Sequence, residues 1–161
     1  GPAPAACFGS NRRPVADPAG TTGCGIVATH ASTVYDAGMF GLQAAYYPNK
    51  TLAGKPDLFA LGVGDATGSV TRNWGTASPG GTLPVNGWSL RLTGLITFPQ
   101  AGAYTLQARS DDGVRVWVND VLNLERWKSQ AATDTTGTAV TVTAGQTLRI
   151  RVEYFEDTGP A

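Results

Sequence analysis

Two aspartates stand side by side at Asp111 and Asp112, inside the stretch Ser110-Asp111-Asp112-Gly113. Adjacent carboxylates repel each other, so gathering both at one tight corner raises the local free energy unless a cation sits there. No Lys or His adjoins the pair, and Arg109 and Arg115 leave on the flanking segments. Binding of a hard cation through oxygen ligands is the chemistry this pattern suits. The same four residues also suit a solvated corner whose carboxylates cap backbone amides, and the pattern alone leaves both readings open. Catalysis is a poorer use of the pair. Glycosidase carboxylates stand ~5–10 Å apart across a scissile bond, a gap that adjacent residues do not easily span. His30 is the single histidine, so there is no Ser-His-Asp set and no histidine metal cluster, and no phosphate loop is present. The expectation is a protein that is not an enzyme.

The elements that must hold this corner are strands. Tyr104, Leu106 and Ala108 alternate with Thr105, Gln107 and Arg109 before it, and Val114, Val116 and Val118 alternate with Arg115 and Trp117 after it. That period of two predicts a pair of half-buried strands. Val118-Asn119-Asp120-Val121 predicts a tight hairpin, because Asn and Asp tolerate the left-handed conformation that a two-residue turn requires. Strand patterning begins at Ile26. It returns at Leu42–Tyr47, at Trp88–Phe98 and at Leu148–Tyr154. Residues 48 to 87 are turn-rich, with Leu52, Leu58, Phe59, Leu61 and Trp74 to tack them down, and residues 128 to 137 read as a polar loop. No stretch carries a helical period. The expected fold is all-β, an antiparallel two-sheet β-sandwich or jelly-roll-like barrel.

At 161 residues the chain suits one domain with a real core. Twelve basic and twelve acidic residues cancel, so nothing suggests nucleic acid or an anionic membrane as partner. No apolar run approaches the ~18 residues of a membrane span. Residues 1–40 read as an N-terminal extension rich in Pro, Gly and Ala that holds both cysteines, Cys7 and Cys24. A Cys7–Cys24 disulfide closing this segment would contribute on the order of 3 kcal/mol and implies an exported, oxidising setting; two unrelated free thiols are the alternative.

Residues 41–161 resemble the PA14 domain family, named after the N-terminal fragment of anthrax protective antigen. The resemblance rests on GLQAAYYPN at Gly41–Asn49, NWG at Asn73–Gly75, WSLRLTGLITFPQAGAYTL at Trp88–Leu106, SDDGVRVWVND at Ser110–Asp120 and TAGQTLRIRVEYFEDTGPA at Thr143–Ala161. It implies a β-sandwich module, secreted or at the cell surface, that forms part of a larger multidomain protein. In sugar-binding members, such as flocculins and epithelial adhesins, two adjacent aspartates joined by a cis peptide hold calcium (Ca2+), and sugar hydroxyls complete its coordination. Asp111 and Asp112 match that pair, and Glu156-Asp157-Thr158-Gly159 takes the place of the second loop. The expected calcium ligands are therefore Asp111, Asp112, Asp157 and Thr158, and the expected glycan contacts are Asp111, Asp112, Glu156 and Thr158. An inert structural or assembly module is the competing reading. Trp74, Trp88, Trp117 and Trp127 fall where the family places packing residues. Arg91, Arg149, Arg151 and Glu153 read as cross-strand pairs on polar faces, and Asn49-Lys50-Thr51 as a glycosylation sequon only in a eukaryote. Family domains usually continue into one more strand beyond the point matching Ala161; a cut sequence, a cleaved parent and a strand supplied from elsewhere that docks on an open sheet edge all fit, and the residues leave the three open.

Overall fold

The computed structural model describes residues 25–30, 33–35, 42–63, 70–71 and 74–161. They form twelve strands in two antiparallel sheets, and no described residue is helical. The first sheet contains β1 (Gly25–His30), β2 (Thr33–Tyr35), β5 (Val70–Thr71), β7 (Gly102–Ser110), β10 (Thr133–Thr136) and β11 (Val140–Val142). Its main path runs β10-β7-β1-β2, with β11 also paired to β7 and β5 to β1. The second sheet contains β3 (Leu42–Tyr47), β4 (Leu58–Val63), β6 (Trp88–Phe98), β8 (Gly113–Val118), β9 (Val121–Arg126) and β12 (Gln146–Glu156), in the order β4-β3-β6-β12-β8-β9.

The alternation read from the sequence decides which side chains meet between the sheets. Tyr104, Leu106 and Ala108 of β7 are fully buried, as are Leu92, Ile96 and Phe98 of β6, Val114 and Val116 of β8, and Val152 and Tyr154 of β12. Each large apolar side chain so buried contributes about 1.5–3 kcal/mol. Strands β6 and β12 pair along their whole length, from Gln146 opposite Phe98 to Glu156 opposite Trp88. At the end of the sandwich near Trp88, Trp74 stacks on Tyr154 at 5.6 Å between ring centroids and meets Trp88 edge-on at 4.8 Å. The polar faces carry the expected pairs. Glu153 accepts from Arg91 and Arg115 on the strands either side, at 2.9 and 2.8 Å.

The β8–β9 turn has Asn119 and Asp120 at φ of 50° and 68°, the two left-handed residues that the hairpin reading required. Two segments differ from the reading. The polar stretch 128–137 contains β10, which pairs with Gln107–Ser110 of β7. An edge strand has no apolar face to declare, so hydropathy alternation does not reveal it. The turn-rich 48–87 segment contains β4, laid antiparallel on β3. Strands β1 and β2 come from before residue 41, and β1 pairs with β7 over six residues. Cys7 and Cys24, with the disulfide-closed extension expected of them, lie outside the described residues.

Candidate functional site

The corner between β7 and β8 is where the chemistry-bearing residues converge. Ser110 ends β7 buried, and Asp111 and Asp112 follow with 0% and 2% of their surface exposed. A cis peptide joins the two aspartates, as the family resemblance implies. Gly113 then opens β8 in a position where no side chain fits. A Cβ there would lie 2.2 Å from the Phe155 ring and 3.0 Å from the Lys128 amide nitrogen.

Backbone and side-chain donors from three other segments fasten the corner. The Tyr154 hydroxyl donates to the Asp111 carbonyl, and the Asp112 amide donates to the Phe155 carbonyl at 3.3 Å. Both oxygens of the Asp112 carboxylate accept backbone amides, Oδ1 from Gln130 at 2.8 Å and Oδ2 from Asp157 at 2.7 Å. The Gln130 side-chain amide donates to the Asp112 carbonyl at 3.0 Å. Asp112 is thus a clamp between the β9–β10 loop and the segment following β12.

Glu156 completes a buried acidic trio. One carboxylate oxygen from each of Glu156, Asp111 and Asp112 lies within 4.8 Å of the other two, and Glu156 has no exposed surface. Burial pushes the Glu156 carboxyl up to about 9, with hydrogen bonding to Asp112 and the charges of both aspartates adding to the shift. Burial, and then the same three carboxylates, also raises the Tyr154 hydroxyl. Such a group is driven to take up either a proton or a cation. All the donor atoms of the trio are carboxylate oxygens, with no sulfur or imidazole, which fits a hard ion such as Ca2+ rather than zinc or copper.

The two remaining expected residues stand differently. The Asp157 carboxylate turns to Ser129 and Lys50, accepting from the hydroxyl at 2.6 Å and from the ammonium at 3.0 Å. The Ser129 hydrogen bond, and then Lys50, hold its carboxyl below the usual range. It reaches the corner through its backbone amide, and Thr158 follows it, exposed. Lys50, Ser129 and Gln130 were not identified from the sequence. They come from loops distant in sequence from the aspartates, and no local pattern marks them.

The tryptophans take packing positions. Trp88 is fully buried. Trp127 lies against Phe155 at 4.8 Å, with the Arg115 guanidinium 3.8 Å from its ring centroid. Trp117 is half-buried, with Arg151 at 4.0 Å and Arg115 at 5.6 Å from its ring. The Asn49 side chain is engaged within its own turn, its Oδ1 accepting the Thr51 and Ala53 amides.

The described residues form a two-sheet sandwich with a paired-aspartate corner at one end, and comparison with known proteins makes its class specific. The chain belongs to the PA14 domain family, whose profile matches residues 39–161. It is similar to the anti-sigma-I factor RsgI3 of Acetivibrio thermocellus, 34% identical over 84 residues, or 52% of this chain and 13% of that protein. Among solved structures, an anti-sigma factor domain-containing protein from Clostridium clariflavum superposes with a TM-score of 0.62 at 28% identity, covering 75% of this chain and 39% of that one. A PA14 sugar-binding domain from an RTX adhesin shares the fold, with a TM-score of 0.58 at 20% identity, covering 75% of this chain and 85% of that one. This chain therefore spans well under half the length of the anti-sigma relatives it matches.

Proposed function

We propose that this domain is a calcium-dependent carbohydrate-binding module, non-catalytic, within a larger exported or cell-surface protein. The observation that carries the reading is the burial of Asp111, Asp112 and Glu156 with their carboxylates within one ion's reach. Three carboxylates crowded away from water are unfavourable without a counter-charge, and Ca2+ takes roughly six to eight oxygen ligands. Asp111, Asp112 and Glu156 would hold the ion, and the Asp157–Thr158 segment would border it. When bound, the ion would offer its remaining coordination positions to sugar hydroxyls. The chain's own part is positional, since the amides of Gln130 and Asp157 fix the rotation of the Asp112 carboxylate. Calcium calorimetry followed by a glycan array with and without chelator tests the reading. Absence of calcium uptake at millimolar concentration would end it.

A second reading is that the domain serves as a spacer or assembly module without a glycan ligand. Its support is the small share of the anti-sigma relatives that the chain covers, which is what a part of a larger assembly would show. Calcium uptake with no glycan response on the array would favour it.

A further inference from the structure

Among the described residues, Asp157 borders the acidic trio through its backbone amide, but its carboxylate does not belong to it. Two segments distant from it in sequence, those of Lys50 and Ser129, meet on its carboxylate instead. Lys50 lies in the turn after β3, which Ser89 secures by donating to the Asn49 carbonyl at 2.6 Å and accepting the Leu52 amide at 3.1 Å. Ser129 lies in the β9–β10 loop, next to the residue whose amide holds Asp112 Oδ1. Asp157 supplies the amide that holds Oδ2.

The 129–130 and 157 segments are therefore tied together twice. One tie runs through the Asp112 carboxylate, and the other is the direct bond from Ser129 to Asp157. Lys50 then binds the opposite oxygen of Asp157, anchoring the pair to the β3–β4 turn. We propose that Lys50, Ser129 and Asp157 form a latch that positions Asp112, with Asp157 acting through its backbone amide and not as a ligand through its carboxylate. In this arrangement the latch spans the two loops whose amides set the orientation of Asp112. Its effect on cation binding rests on the calcium reading above, whereas its effect on the loops rests on the hydrogen bonds alone. Because Lys50 and Asp157 are 48% and 32% exposed, salt screens the ionic part of the latch but leaves the serine bond.

The test is amide hydrogen exchange at Gln130 and Asp157 in calcium-free protein, combined with calcium calorimetry on the same variants. Ser129→Ala changes no charge. It is expected to speed exchange at both amides by about two- to five-fold, the effect of one exposed polar contact, and to leave exchange in β6 and β12 unchanged. Calcium affinity should fall by a similar factor, and Ser129→Thr, which keeps the hydroxyl, should restore both. Were the Asp157 carboxylate a ligand, Ser129→Ala would release it to the ion and tighten binding, and Asp157→Asn would cost far more than Ser129→Ala. That pattern, or unchanged exchange at the two amides, overturns the latch. Wild-type protein that takes up no calcium while Ser129→Ala still speeds both amides would sink the cation reading and leave the latch standing.

Discussion

Replacing Asp112 with Asn separates two roles that the structure places on one side chain. The carboxylate accepts two backbone amides, from Gln130 and from Asp157, and it is one of the three oxygen donors of the trio. Asn keeps one acceptor oxygen and turns an NH2 toward the other amide, donor against donor. A hydrogen bond to a charged group is worth about 1.5–3 kcal/mol, and a buried donor without an acceptor costs about 1–3 kcal/mol. Losing a negative charge beside Asp111 and Glu156 works the other way, but the raised Glu156 carboxyl is already protonated near neutrality, so that relief is the smaller effect. Asp112→Asn should therefore lose about 2–4 kcal/mol in chelator, read from urea unfolding. Calcium at a hundred times its dissociation constant adds about 2.7 kcal/mol to a protein that binds it, so the gap between wild type and variant should widen by that amount. Equal stability in chelator would refute the clamp. A gap that calcium does not widen would refute the metal site.

The Glu156 carboxyl, raised from 4.5 to about 9, binds more protons in the folded chain than in the unfolded one. In chelator, stability should fall as pH rises from ~5 toward 9, and the calcium-induced rise in Tm should grow over the same range; a pH-independent calcium effect in differential scanning calorimetry would contradict this. Gly113→Ala places a methyl against the Phe155 ring and the Lys128 amide, so it should lower stability by about 1–3 kcal/mol and weaken calcium binding, as chemical unfolding and calorimetry would show. Trp88→Ala, which empties a fully buried aromatic site, should cost about 3–5 kcal/mol, and a variant with unchanged Tm would remove Trp88 from the core.

The corner and the hairpin were legible because their geometry is local. Asp111-Asp112-Gly113 and Asn119-Asp120 are turn residues between strands whose apolar positions alternate cleanly. Glu156 was expected in the loop after Tyr154 and only as a glycan contact, but it is the last residue of β12 and lies buried with the two aspartates. Val152, Tyr154 and Glu156 share one face of β12, so the two-residue period that buries Tyr154 also sends Glu156 inward, while Asp157 leaves the strand. The second sheet's edge at β4 escaped because LFALGV is apolar at nearly every position and so shows no alternation, and the first sheet's β10 because TDTT has no apolar residue at all. Lys50, Ser129 and Gln130 reach the site through loop conformations that no short-range pattern encodes. Their contribution depends on which turns lie side by side at the end of the sandwich.

The strand order of the second sheet also bears on how the domain forms. Strand β12, the last of the described strands, lies between β6 and β8, which come before it in sequence. A polypeptide emerging from N- to C-terminus cannot bring β6 and β8 into their final spacing until β12 has arrived, since both pair with it. The same insertion carries Glu156 to the corner and brings Tyr154 beneath Asp111. Pairings between segments so far apart must overcome a large loop-closure entropy before they are rewarded, which makes such topologies slow to fold. The acidic cluster at the corner is therefore incomplete until β12 is seated between β6 and β8.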